Sequence, residues 1–143
     1  MSSPTTQVDS FARKFIDLAS PRLGAEVTFA TDDFFADKSR LIDPAAPVFI
    51  ADKYDDNGKW MDGWESRRKR GEGYDHCIIR LGLPGILHGV NIDTSHFTGN
   101  FPPSASLDAC LVEGEPGADT VWTEILPAVG LKGNSHHLHA ISD

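Results

Sequence analysis

The apolar positions change rhythm partway along the chain, and the second half is the more regular. In "HCIIRLGL" Cys77, Ile79, Leu81 and Leu83 alternate with their neighbours, and in "ILHGVNIDT" Ile86, His88, Val90, Ile92 and Thr94 do so again. Period two puts every second side chain on one face of a strand, so both runs are expected to be strands. Pro84 and Gly85 between them suit the central positions of a type II turn, which predicts that the two strands pair as antiparallel neighbours. "ASLDACLV" and "TVWTEILP" are predicted strands on either side of the turn-like "EGEPGAD", and "SHHLHAIS" is a last short one.

The first half is less regular. Phe11, Phe15 and Leu18 recur at helical spacing and predict a short helical turn that Pro21 ends. "AEVTFAT", with Val27 and Phe29 alternating, predicts a strand. "TDDFFADKSRLI" carries a helix-start signal with Asp32 or Asp33 as its cap. Residues 43–75 read as mostly loop, and Trp60 and Trp64 argue that the loop is ordered. Residues 1–10 are polar and expected to be loose, while 11–143 read as a single domain. Several short strands with Gly/Pro turns give an all-β fold, sandwich or barrel, with short helical turns near the N-terminus.

Composition narrows the function. With 143 residues the chain is long enough for one domain with a core. A net charge of -8 gives no general attraction for nucleic acid or an anionic membrane surface. The basic residues are uneven, since "SRRKR" at 66–70 holds four of the thirteen Lys and Arg. "MSSPTTQVDS" has no basic segment leading into an apolar run, and no apolar stretch nears the roughly 20 residues that span a bilayer. Cys77 and Cys110 sit inside apolar strand-like runs, as buried free thiols in a reducing cytoplasm would.

Three clusters carry candidate chemistry. "WMDGWESRRKR" gathers two tryptophans, two carboxylates and a basic run, and Arg is the side chain suited to bidentate carboxylate recognition. It reads as an anion-binding loop with Glu65 as acid or base, or else as a solvated basic run anchored by aromatic rings. "NIDTSHFTGNFPPSAS" leaves a strand and passes Asp93, His96 and Asn100 within eight residues. His96 is a candidate general acid or base, Asp93 would orient it, and Asn100 would donate to a ligand oxygen. Gly99 is expected to turn the backbone at positive φ, and Pro102-Pro103 to stiffen the exit. The same residues equally suit an Asx-type turn with a satisfied histidine. In "SHHLH" His137 and His139 would point the same way along a strand, as two metal ligands do, but no matching ligand pair stands nearby and no metal site is assigned. The phosphate-binding GxxxxGK[ST] and the nucleophile elbow GxSxG are both lacking.

"DDFFADKSRLI", "MDGWESRRKR" and above all "YDHCIIRLGLPGILHGVNIDTSHFTGNFPPSASLDAC" resemble the allantoicase (allantoate amidinohydrolase) family, from about Leu18 to the C-terminus. The resemblance implies a jelly-roll β-sandwich similar to galactose-binding-type domains. It also implies hydrolysis of allantoate to ureidoglycolate and urea in purine breakdown, with a homo-oligomer in the full-length enzyme. The resemblance is to the first of two related repeats, so a further strand and the second repeat are expected beyond this sequence. For that reaction the side-chain chemistry gives the substrate carboxylate to Arg67 or Arg68, proton transfer to His96, and the ureido contacts to Asp93, Asn100 and Glu65. No cofactor is assigned. The competing class is a non-catalytic jelly-roll module that holds a ligand with the same loops, and release of urea from allantoate separates the two.

Overall fold

The computed structural model describes residues 10–55, 58–67 and 73–141. Strands dominate and helix is scarce, as the period-two pattern requires. Two compact units are distinguished, residues 16–85 and residues 1–15 with 86–143. Among the described residues the strands pair two by two, always antiparallel.

In the 16–85 unit, β1 (Glu26–Ala30) pairs with β4 (Cys77–Arg80), with a register shift between Val27 and Phe29. A short hairpin joins β2 (Tyr54–Asp55) to β3 (Gly58–Lys59) inside the long loop. The buried apolar residues here are Ala25, Val27, Ala36 and Met61, while Trp60 and Trp64 are half-buried. Two 3-10 turns flank β1. The first, Pro21–Leu23, is capped by the Ser20 hydroxyl and closed by Gly24 at φ 93. Pro21 therefore opens a turn and does not end one. The N-terminal helical turn lies at residues 10–14 and stops before it, tied by a 3.1 Å bond from Phe15 N–H to the Phe11 carbonyl. The second 3-10 turn, Lys38–Ile42, is capped by Asp37 and by neither Asp32 nor Asp33. Asp32 accepts from Phe34 N–H in a local Asx turn ahead of the cap, while Asp33 accepts from the N–H of Lys38, the first residue of the 3-10 turn, and so supports its start beside Asp37.

In the other unit β5 (Gly89–Asp93) pairs with β8 (His136–Ala140), and β6 (Ser104–Ala109) with β7 (Thr123–Gly130). Phe97, Leu126 and Leu131 are its buried apolar side chains. Phe15 stacks on His88 with ring centroids 5.0 Å apart, and Phe11 packs so closely on Gly89 that a Cβ there would lie 2.7 Å from the ring.

The expected pairing across Pro84-Gly85 does not form. The first run pairs with β1 and the second with β8. Residues 81–88 are not strand. Gly82 instead passes so near the Leu23 carbonyl that a Cβ would sit 1.9 Å from it, and the His88 carbonyl accepts from Ile141 N–H at 3.0 Å. Alternation marks which side chains share a face. It does not name the strand that faces them.

Candidate functional site

The loop after β5 is built around one strained position. Thr94 to Phe97 form a tight turn closed by a 2.9 Å bond from Phe97 N–H to the Thr94 carbonyl. His96 stands third in it with φ 71. That left-handed conformation is uncommon outside glycine, although His, Asn and Asp adopt it more readily than other residues. Gly99 is not among the positive-φ residues, so the reversal expected of it falls to His96.

The loop 131–135 holds this turn in place. The buried Thr94 hydroxyl donates to the Lys132 carbonyl at 2.6 Å and accepts from Ser135 N–H at 3.1 Å, while Thr94 N–H donates to the Ser135 carbonyl at 2.9 Å. Asn134, itself at φ 48, brackets the turn from both sides. Its Oδ1 accepts the His96 N–H at 2.8 Å, and its own N–H donates to the Phe97 carbonyl at 2.8 Å. Gly133 is required beside it, because a Cβ would lie 2.9 Å from the Phe97 carbonyl and 3.0 Å from that of Thr98. Leu131 N–H donates to the Pro103 carbonyl at 2.9 Å, which ties down the far end of the loop.

Asp93 lies at the start of the turn. Its Oδ1 accepts from both the backbone and the hydroxyl of Ser95, so the Asx turn open in the sequence is present. Its Oδ2 lies 3.7 Å from His136 Nδ1, its direct cross-strand partner. Oδ1 of Asp93 is thus taken up by Ser95, where the sequence suggested that the residue would orient His96. Asn91 accepts from His137 N–H through Oδ1 at 3.1 Å, which leaves its NH2 group facing His136 Nδ1 at 3.0 Å. Neutral His136 therefore carries its proton on Nε2. Asn100 is exposed on the same loop, and His96 is half-buried.

His137 is fixed more fully. Its Nε2 accepts from Lys132 N–H at 2.9 Å, so the proton resides on Nδ1 and is donated to the Ile92 carbonyl at 2.8 Å. Metal binding by this ring would break one of the two bonds. Among the described residues no group of three or more His, Cys, Asp and Glu could hold a metal ion.

The other candidates belong to the 16–85 unit. Glu65 is half-buried and bridges to Ala36 through its backbone, its carbonyl accepting from Ala36 N–H at 3.1 Å. Arg67 donates from Nε to Asp32 Oδ2 at 2.8 Å, and its guanidinium lies 5.0 Å above the Phe34 ring. The Phe34 N–H and the Arg67 guanidinium together hold the Asp32 carboxyl below its ordinary range. Arg68 lies outside the described residues. Cys77 and Cys110 are free and half-buried, and desolvation pushes the Cys77 thiol up to about 11.

Asn134, the Thr94 hydroxyl and His136 were not singled out in the sequence. The "GN" dipeptide at 133–134 is a turn signal of the kind that could have marked Asn134.

A family model described as an allantoicase repeat matches residues 16–143. A probable allantoicase from Ralstonia nicotianae is 60% identical over 140 residues, covering 96% of this chain and 42% of that protein. One from Photobacterium profundum is 64% identical over 131 residues, covering 91% and 40%. A solved allantoicase structure is similar with a TM-score of 0.78 at 32% identity, covering 94% of this chain and 43% of the other. The Saccharomyces cerevisiae allantoicase crystal structure gives 0.72 at 35%, covering 88% and 38%. The chain spans about two-fifths of the length of the curated relatives it matches.

Proposed function

Since the chain belongs to the allantoicase family, we propose that it contributes to the hydrolysis of allantoate to ureidoglycolate and urea. The observation that carries the reading is the match over residues 16–143, which encloses the whole His96 loop. A jelly-roll sandwich, a homo-oligomeric whole protein and a cytoplasmic setting go with it.

The chemistry sets what the loop has to do. Allantoate has a central carbon that bears a carboxylate and two ureido groups. The bond broken joins that carbon to a urea nitrogen, and water supplies the hydroxyl that replaces it. Urea leaves as a neutral molecule only when its nitrogen is protonated, so a general acid is needed, and water attacks better with a base beside it. His96 carries the proton, because an imidazole can both give and take one through its ring nitrogens. Asp93 accepts from ureido N–H groups, and the Asn100 amide can both donate and accept. The left-handed backbone at His96 supports this assignment, since such strain is concentrated where a side chain must be aimed. Arg67 or Arg68 offers a guanidinium suited to the substrate carboxylate, and Glu65 a carboxylate suited to ureido N–H groups.

The test is to incubate the purified full gene product carrying this sequence with allantoate and to measure urea and ureidoglycolate. Equimolar release of both is expected. Allantoate binding without urea release would favour the ligand-binding module instead.

A further inference from the structure

We infer that Asn134 is a positioning residue for His96, reaching it from a second loop 38 positions further along the chain. The inference rests on the proton-transfer role proposed for His96 and adds the group that aims it.

Three observations carry it. His96 and Asn134 are two of the three non-glycine residues at positive φ among the described residues, at 71 and 48, and they bond directly to each other. The contact is two-sided. Asn134 takes the His96 N–H with its side chain and gives its own N–H to the next carbonyl, that of Phe97. The surroundings leave the loop little room to shift. Thr94 and Phe97 are 6% and 8% exposed, and Gly133 is hemmed in by two carbonyls and the Phe101 ring.

An N–H in a turn would normally find water or the turn's own carbonyl. Here a side chain from another loop supplies the acceptor, and Asn is itself tolerant of the left-handed region that its own backbone must occupy. Removing that acceptor loosens the turn at His96 alone, while its other bonds remain, and even a small rotation toward negative φ there redirects the His96 side chain. A displacement of about 1 Å at a reacting group can cost on the order of 10²-fold in rate.

The experiment compares Asn134→Gly, Asn134→Asp and His96→Asn in the full gene product. Glycine keeps the left-handed backbone and loses the acceptor; aspartate keeps both. The readouts are kcat and KM for urea release, amide hydrogen exchange at His96, and thermal unfolding as a folding control. Asn134→Gly is expected to lose His96 amide protection and to lower kcat on the order of 10²-fold with KM unchanged. Asn134→Asp is expected to restore both. If His96→Asn abolishes turnover while Asn134→Gly keeps wild-type kcat and a protected amide, the inference is overturned. If His96→Asn itself turns over normally, the proton-transfer role fails, and loss of amide protection in Asn134→Gly alone still reports whether Asn134 holds the turn.

Discussion

Thr94 and Ser135 hold each other from both sides. The Thr94 N–H donates to the Ser135 carbonyl at 2.9 Å, and the Ser135 N–H donates to the Thr94 hydroxyl at 3.1 Å. The same hydroxyl donates to the Lys132 carbonyl at 2.6 Å. At 6% exposure water cannot readily replace these partners. Thr94→Val keeps the shape and removes both hydroxyl bonds, so a loss of about 1–3 kcal/mol is expected. Thr94→Ser, which keeps the hydroxyl, is expected to lose less. Urea denaturation of the two variants checks the ordering.

Gly133 and Gly99 are expected to respond in opposite ways to alanine. At Gly133 a Cβ meets the Phe97 and Thr98 carbonyls and the Phe101 ring, all within 3.0 Å, so Gly133→Ala is expected to cost about 1–3 kcal/mol. At Gly99 nothing lies within 4 Å and φ is not positive, so Gly99→Ala is expected to be neutral or to stabilise by up to about 1 kcal/mol through the unfolded chain. Equilibrium unfolding of both variants decides the matter, and a destabilised Gly99→Ala would restore the reversal to Gly99.

The Asp32 pair gives stability a pH dependence of definite sign. The carboxyl is held below its reference value of 3.8, chiefly by the Phe34 N–H and then by Arg67. Its contribution is therefore full above the unfolded value and disappears as pH falls through the lower folded value. Because the Arg67 side chain is 62% exposed, the effect is modest and weakened by salt. The stability advantage of the wild type over Asp32→Asn is expected to be present at pH 6 and to shrink as pH falls below 3.8. An advantage that grew on acidification would contradict the pairing.

Cys77 is expected to be a slow nucleophile. With its thiol pushed up to about 11 by desolvation, the reactive thiolate is scarce at neutral pH. In a Cys110→Ser background, alkylation of the native protein is expected to be slow and to rise about tenfold per pH unit beyond pH 9. Denaturation is expected to abolish the difference from a free thiol. A midpoint near that of an ordinary cysteine would contradict the burial.

The sequence was legible where its signal is local. β1, β4, β5 and β8 fall within the runs marked by alternation or β-rich composition, whereas β6 begins one residue before "ASLDACLV" and β7 starts three residues into "TVWTEILP" and runs three residues past it. The pairing of β5 was not legible, because its partner is β8, more than forty residues away, and alternation describes a face without naming what covers it. The cap was expected at Asp32 or Asp33, but the turn begins only at Lys38, so the residue directly before it, Asp37, takes the cap. The candidate loop stood out from its Asp, His, Asn and Pro-Pro content. What shapes it did not. The positive φ belongs to His96 because Asn134 and Thr94 fix the turn from outside, whereas Gly99 lies in open space and has no need of it.

The most direct measurement is the turnover of allantoate by the full gene product with His96→Asn, set against the wild type. Asparagine tolerates the left-handed backbone, so the turn is kept while the imidazole is removed. Removal of a general acid–base group is expected to lower kcat about 10²–10⁴-fold, with unchanged thermal unfolding. Urea release at the wild-type rate from a folded His96→Asn protein would contradict the role given to this loop.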